Sequence, residues 1–214
     1  MIYISKLFSP ISTGISAGDI EEGKLVSLNE GGVPVQFYVA KQDYESGLNG
    51  AGRTLLVRKD CYDQRQWNST NVNAYATSTI DAWMNSTYKA LFPEEIQTAM
   101  GTTTFYYTPG NWNNTVTTLE RSLFLMSLTE LGHSDSYANT EGSALPIAST
   151  LQTVYYNGIA ASQYLRTPYK NNTENVYALD YNNLSGTPKA SMSFGSRPCF
   201  TIPSDFKFKE SEVA

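Results

Sequence analysis

The chain has 214 residues with a formal net charge of -5, and 41% of it is apolar, enough for a sizeable core and too much for wholesale disorder. Charged residues make up 16%, below the roughly 25% of an average soluble domain, and polarity comes instead from Asn, Ser, Thr and 15 Tyr. The acidic balance argues against nucleic-acid binding, no apolar run approaches the ~20 residues that span a bilayer, and one His with two Cys is too few for a structural zinc site, so neither metal nor cofactor is expected.

Along the chain, the first stretch is rich in Ser, Gly and Ile, with Pro10, Gly14 and Gly18 as breakers. It suits an extended arm or linker over residues 1–22, ahead of one domain at 23–206 and a tail at 207–214. It has neither a basic start nor a long apolar stretch, so no secretory signal is expected. Two alternating apolar runs, 24–28 and 33–40, flank Asn29-Glu30-Gly31-Gly32 and predict a β-hairpin. Residues 54–58 read as a buried strand.

Ser78-x-x-Asp81 fits a helix N-cap signature, and Ile80, Trp83, Met84, Tyr88, Leu91 and Phe92 recur behind it at helical spacing. Pro93 stops that helix and lets another begin at Glu94. Residues 102–108 are β-branched and aromatic, hence a strand, ending at Pro109-Gly110 and the loop Asn111-Trp112-Asn113-Asn114. Beyond Gly142 short strands are expected at 163–166, 176–180, 190–194 and 197–202. Strands at both ends with about two helices between them predict an α+β domain.

Cys61 and Cys199 lack CxxC spacing; they form either one long-range disulfide or two buried thiols, and the missing export signal favours thiols. His133 lies in a turn-like string and reads as a loop residue rather than a base.

Several strings occur in an order that resembles a known group of proteins. They are Leu55-Leu56-Val57-Arg58-Lys59-Asp60, Arg65-Gln66-Trp67, Ile80-Asp81-x-Trp83-x-Asn85, Phe124-Leu125-Met126-Ser127 with Glu130-Leu131-Gly132, Leu165-Arg166-Thr167-Pro168-Tyr169 and Gly195-Ser196-Arg197-Pro198-Cys199-Phe200. Together they resemble an uncharacterised domain family of gut-bacterial and bacteriophage proteins. That family is similar in turn to the C-type-lectin-like fold of formylglycine-generating enzymes and of the variable proteins of diversity-generating retroelements. The resemblance implies a single C-type-lectin-like domain of short, mixed, mainly antiparallel strands. The tripeptides that hold calcium in sugar-binding lectins are missing, and the two Cys match no formylglycine-generating pair, so neither calcium binding nor that catalysis is carried over.

The C-terminal region has the composition of a binding surface. Tyr169, Asn171, Asn172, Asn175, Tyr177, Tyr181, Asn182 and Asn183 combine rigid aromatic area with adaptable amides. They sit where retroelement-diversified proteins of this fold vary, just before a closing strand. Arg166 and Arg197 read as braces of the core. The resulting expectation is a non-enzymatic display protein of a phage virion, in capsid or tail, that binds a host-surface protein or glycan. Residues 1–22 would hold it to other virion proteins, with no nucleic-acid partner, no membrane insertion, and homo-oligomerisation left open. The alternatives are a structural decoration protein, a retroelement-diversified binder at the bacterial cell surface, or a glycan-active enzyme.

Overall fold

The computed structural model describes residues 14–180, 182 and 185–214. A short strand β1 (Ile15–Ser16) leads to β2 (Leu25–Glu30) and β3 (Val33–Lys41), then to helix α1 (Ser46–Asn49) and strands β4 (Arg53–Arg58) and β5 (Asp63–Gln66). Helices α2 (Thr79–Trp83) and α3 (Glu94–Met100) precede β6 (Thr103–Tyr107) and β7 (Thr117–Arg121). After α4 (Ala148–Gln152) come β8 (Tyr155–Tyr156), β9 (Ile159–Ala160), β10 (Gln163–Pro168) and β11 (Val176–Leu179). The chain finishes with β12 (Ser185–Gly186), β13 (Ser193–Ser196), β14 (Cys199–Pro203) and β15 (Lys207–Phe208). The fold class is α+β, with four short α-helices among the described residues in place of the two expected.

Local sequence accounts for the first elements. Gly31 and Gly32 both take positive φ, so β2 runs to Glu30 and closes on Val33 through a two-residue turn rather than the longer loop expected. Ser78 caps α2 by accepting from the Asp81 N–H at 3.2 Å. Asp81 does not complete the capping box; its carboxylate turns instead to Arg121 at 2.8 Å. The helical run continues past Trp83 as a π turn, Met84–Tyr88, and a 3-10 turn, Lys89–Leu91, before Pro93 ends it.

One sheet has the order β14-β4-β3-β2, antiparallel throughout. A second, five-stranded sheet has the order β12-β11-β10-β13-β5, with β10 and β13 parallel, and β1-β15, β6-β7 and β8-β9 form two-stranded pairs. Between the two larger sheets lies an aromatic-rich core that includes Phe37, Trp67, Tyr75, Phe105, Phe124 and Phe200. Residues 123–128 run through it fully buried, and Phe124 exchanges both backbone hydrogen bonds with Cys199 at 2.9 Å. Cys61 and Cys199 are both buried free thiols, and burial pushes Cys61 up to about 12, which keeps it an unreactive thiol at neutral pH.

Both expected boundaries move. Residues 14–22 belong to the domain: β1 pairs with β15, the Ala17 and Gly18 N–H groups donate to Phe206 and Ser204 at 2.8 Å, and Ala17 and Ile20 are core residues. Residues 207–214 belong to it too, through Phe208 in the core and a bridge between Val26 and Val213. The rest of the expected arm, residues 1–13, lies outside the described residues. Deletion through Ile20 removes one buried branched side chain and an edge pairing, so it is expected to cost about 3 kcal/mol, read as a lower urea midpoint at unchanged slope.

Candidate functional site

Three loops converge at one end of the β10–β11 pair: residues 109–115, 133–140 and 169–175. Their roots are joined by one buried carboxylate. Glu141 accepts from the Thr108 N–H and the Thr167 hydroxyl, each at 2.6 Å, and so ties the residues that precede two loops to the residue that follows the third. Burial raises the Glu141 carboxyl, while Arg166, 4.0 Å away, pulls the other way. Arg166 is itself fully buried and held by Glu130 at 2.7 and 3.0 Å, the Leu125 carbonyl at 2.8 Å and the Tyr106 carbonyl at 3.0 Å. Arg197 is the second brace, donating to the carbonyls of Arg58, Lys59 and Leu151 at 2.5–2.8 Å.

Nearer the loop tips the link is Asn73, buried on the segment before α2. Its side-chain NH2 donates to the carbonyls of Tyr169, Asn172 and Asn175 at 2.9–3.1 Å, two hydrogens shared among three acceptors. Its Oδ1 accepts from the Asn111 N–H at 2.7 Å. Gly110, at φ +78°, passes so close that a Cβ there would collide with the Asn73 carbonyl oxygen. Asn73→Ala would strand the Tyr169 and Asn172 carbonyls and the Asn111 N–H, while the Asn175 carbonyl keeps the Tyr169 N–H at 3.0 Å, so it is expected to cost about 3 kcal/mol and to raise amide exchange in loops 109–115 and 169–175.

The first loop turns tightly: Gly110 and Asn113 exchange backbone bonds at 2.9 and 3.1 Å across Asn111 and Trp112. Both central residues have positive φ, +49° and +68°. Such a turn prefers Asn-Gly, so Asn111 suits its place while Trp112 occupies the position where glycine is favoured. Trp112 is also 65% exposed. Two costs, a left-handed aromatic residue and a bare indole, meet in one residue.

The other loops surround it with rings and amides. Tyr137 is exposed, and its ring lies 5.2 Å from that of Tyr169. The Asn139 amide donates to the Asn114 carbonyl at 2.6 Å, Lys170 Nζ donates to Asn139 Oδ1 at 3.2 Å, and the Lys170 N–H donates to the Tyr137 carbonyl at 2.9 Å. The side chains of Asn111 and Asn171 have no protein partner among the described residues.

The residues expected to bind are divided by this geometry. Tyr169, Asn171, Asn172 and Asn175 come together in the third loop. Two of their amides shape it: Asn172 Oδ1 accepts from the Glu174 and Asn175 N–H groups at 2.9 and 2.8 Å, and Asn175 donates to the Thr187 carbonyl at 2.6 Å. Tyr177 is a correction, because its side chain is 1% exposed, packed in an internal strand between β10 and β12. Burial, and then the neighbouring Asp135 carboxylate, pushes its phenol up. Asn182 is exposed but lies beyond the far end of β11, roughly 13 Å of strand away. Tyr181 and Asn183 lie outside the described residues. Trp112 and Tyr137 are the residues the sequence reading missed; Asn111-Trp112-Asn113-Asn114 carried the same Asn-plus-aromatic composition that marked the third loop.

Glu94 and Glu95 are exposed in the first turn of α3, and Asp63 is paired with Arg65 and the Ser196 hydroxyl. Among the described residues, no group of three or more His, Cys, Asp or Glu is arranged to hold a metal ion.

No curated protein and no solved structure matches the chain. A family model described as a domain of unknown function, DUF6273, matches residues 51–204, more than two thirds of the sequence. The matched span covers all three loops and both of their ties while leaving out β2 and β3, which complete the four-stranded sheet. On that match the chain belongs to the DUF6273 family.

Proposed function

We propose that this chain is a non-enzymatic display domain that binds a host-surface ligand through the loop cluster of Trp112, Tyr137, Tyr169 and Asn171. The observation that carries the reading is Trp112, a strained and exposed indole on a turn fixed to the core through Asn73. A residue that costs stability twice, on a rigid support, is what a binding surface needs and a packing role does not. The ionised pairs support a structural rather than catalytic use of the buried acids, since Glu30, Asp81 and Glu130 each face an arginine.

The placement on a phage virion, in capsid or tail, rests on the motif strings that resemble gut-bacterial and bacteriophage domains. Those strings fall on β4, β5, α2, β10, β13 and β14, strands of both larger sheets and one helix, and β10 carries the third loop, which supports a shared C-type-lectin-like scaffold. On this reading the N-terminal segment joins the domain to other virion proteins.

The test uses fluorescently labelled chain and a panel of gut-bacterial cells, together with antibody detection of the chain in purified particles. The triple variant Trp112→Ala, Tyr137→Ala, Asn171→Ala should melt like the parent and lose about tenfold or more in cell binding. A triple variant that binds cells like the parent would overturn the display reading.

A further inference from the structure

We infer that the Trp112 loop is a metal-independent site for a neutral pyranose of a host-surface glycan, an inference that rests on the display reading above and names its ligand class.

Area makes the first distinction. A protein partner covers about 800 Å² on each side, with a dehydrated apolar centre. This face offers two exposed rings, Trp112 at 65% and Tyr137 at 47%. An aromatic side chain presents roughly 150–250 Å² in full, so the pair falls well short of a protein-sized apolar centre. One indole does match the C–H face of a single sugar ring, whose weakly positive hydrogens suit the negative face of the π-system. The remaining large exposed apolar side chains, Val33, Tyr155, Ile159 and Met192, lie outside the three loops.

Hydrogen-bonding chemistry makes the second. A sugar hydroxyl donates and accepts at once, and a carboxamide offers one acceptor oxygen and two donor hydrogens. The Asn111 and Asn171 side chains have no protein partner among the described residues; the first residue is the turn's own first central one, and the second follows Lys170, whose carbonyl accepts from the Asn114 amide of the first loop at 3.5 Å. Asn113 Oδ1 accepts from the Thr115 N–H at 3.3 Å, and its NH2 has no protein partner among the described residues.

Charge makes the third. Asp135 already accepts from the Tyr137 N–H at 2.7 Å, and Glu174 is paired with Lys189 at 2.9 Å. The one lysine carried by the three loops themselves, Lys170, is held by Asn139 at 3.2 Å. Carboxylates engaged in this way do not form a cation cage, and a single tethered lysine does not select a polyanion. A neutral sugar fits what is left.

The probe is a printed array of neutral oligosaccharides built from glucose, galactose, mannose and N-acetylglucosamine, with sulfated and sialylated chains as charged comparators. It is run with and without chelator. Neutral oligosaccharides should bind, with dissociation constants on the order of 1 mM for a single ring. Chelator should change nothing. Trp112→Ala should lose about tenfold or more at an unchanged melting temperature, and Trp112→Phe should lose less because a π-face remains. Binding confined to the charged chains, abolished by chelator or equal in Trp112→Ala and parent would overturn the inference. So would cell binding that is destroyed by protease treatment of the cells but survives periodate. That last result leaves the display reading standing, with a protein as ligand, whereas a loop variant that still binds cells removes the display reading as well.

Discussion

Arg166→Met is expected to cost about 3–5 kcal/mol, the range for breaking a buried ion pair from one side. For a chain of this size that is about 10 °C or more in melting temperature. The substitution keeps much of the apolar stem and removes the guanidinium. Glu130 and Glu141 then lose their cation, and the Leu125 and Tyr106 carbonyls lose their donor. Burial already raises the Glu141 carboxyl, and without Arg166 nothing cationic opposes that rise. A carboxyl whose folded pKa lies above its unfolded value holds a proton that the unfolded chain has released, so its contribution is present at acid pH and lost as pH rises. The deficit of Arg166→Met against the parent should therefore shrink as the denaturation series moves from neutral to about pH 5. Adding Glu130→Gln should recover part of the loss, because it removes the stranded charge. A constant deficit between the two pH values would show that lost packing, not uncompensated charge, dominates. On the proposed display function the same change should also weaken cell binding, because Glu141 ties the roots of the three loops.

The parts of this architecture that are local in sequence could be read before the structure. Ser78 caps its helix within three residues, Gly31-Gly32 turns a hairpin by its own torsions, and Pro93 ends one helical run and opens the next. One local signal was there and missed: Asn157-Gly158 between Tyr155-Tyr156 and Ile159-Ala160 is the preferred two-residue turn sequence, and it closes β8 on β9. What could not be read is set by distant partners. Ala17 and Ile20 have no periodicity of their own and are buried because the chain end, more than 180 residues later, supplies β15. Alternation fails at Tyr177 because all four residues of β11 are covered, so both faces of that strand are internal. For the candidate site, composition singled out the third loop, but its union with the first depends on Asn73, which is an ordinary loop asparagine in sequence.

The second large effect is at alkaline pH. Three tyrosines are enclosed in the core, and burial is the first cause raising each of them. Tyr44 donates to Glu130 and Tyr88 donates to Glu30, each at 2.5 Å, so ionising either phenol would place two negative oxygens in contact. Tyr75 lies in the same core, where its oxygen accepts from the Leu125 N–H at 2.9 Å; that bond favours the phenolate but does not offset burial. The buried thiols are raised as well, Cys61 to about 12. The unfolded chain releases these protons near the ordinary values, 9.0 for Cys and 10.0 for Tyr, while the folded chain keeps them. Stability is therefore fully present below those values and falls above them, by about 1.4 kcal/mol per group for each pH unit once the unfolded group has ionised. Arg197 works in the opposite direction, since burial lowers it to about 10, but it is one group against several. The expected result is a protein whose stability loss begins near pH 9 and which unfolds cooperatively by about pH 11, the buried phenols appearing as phenolate in the same step that far-ultraviolet circular dichroism is lost. Tyr88→Phe should lessen the alkaline slope by one group, about 1.4 kcal/mol per pH unit, at the price of a Glu30 that keeps only Arg58 as partner. Phenolate absorbance that rises to completion while the dichroism stays native would mean that these hydroxyls reach solvent without unfolding, and the burial assigned to Tyr44, Tyr75 and Tyr88 would be wrong.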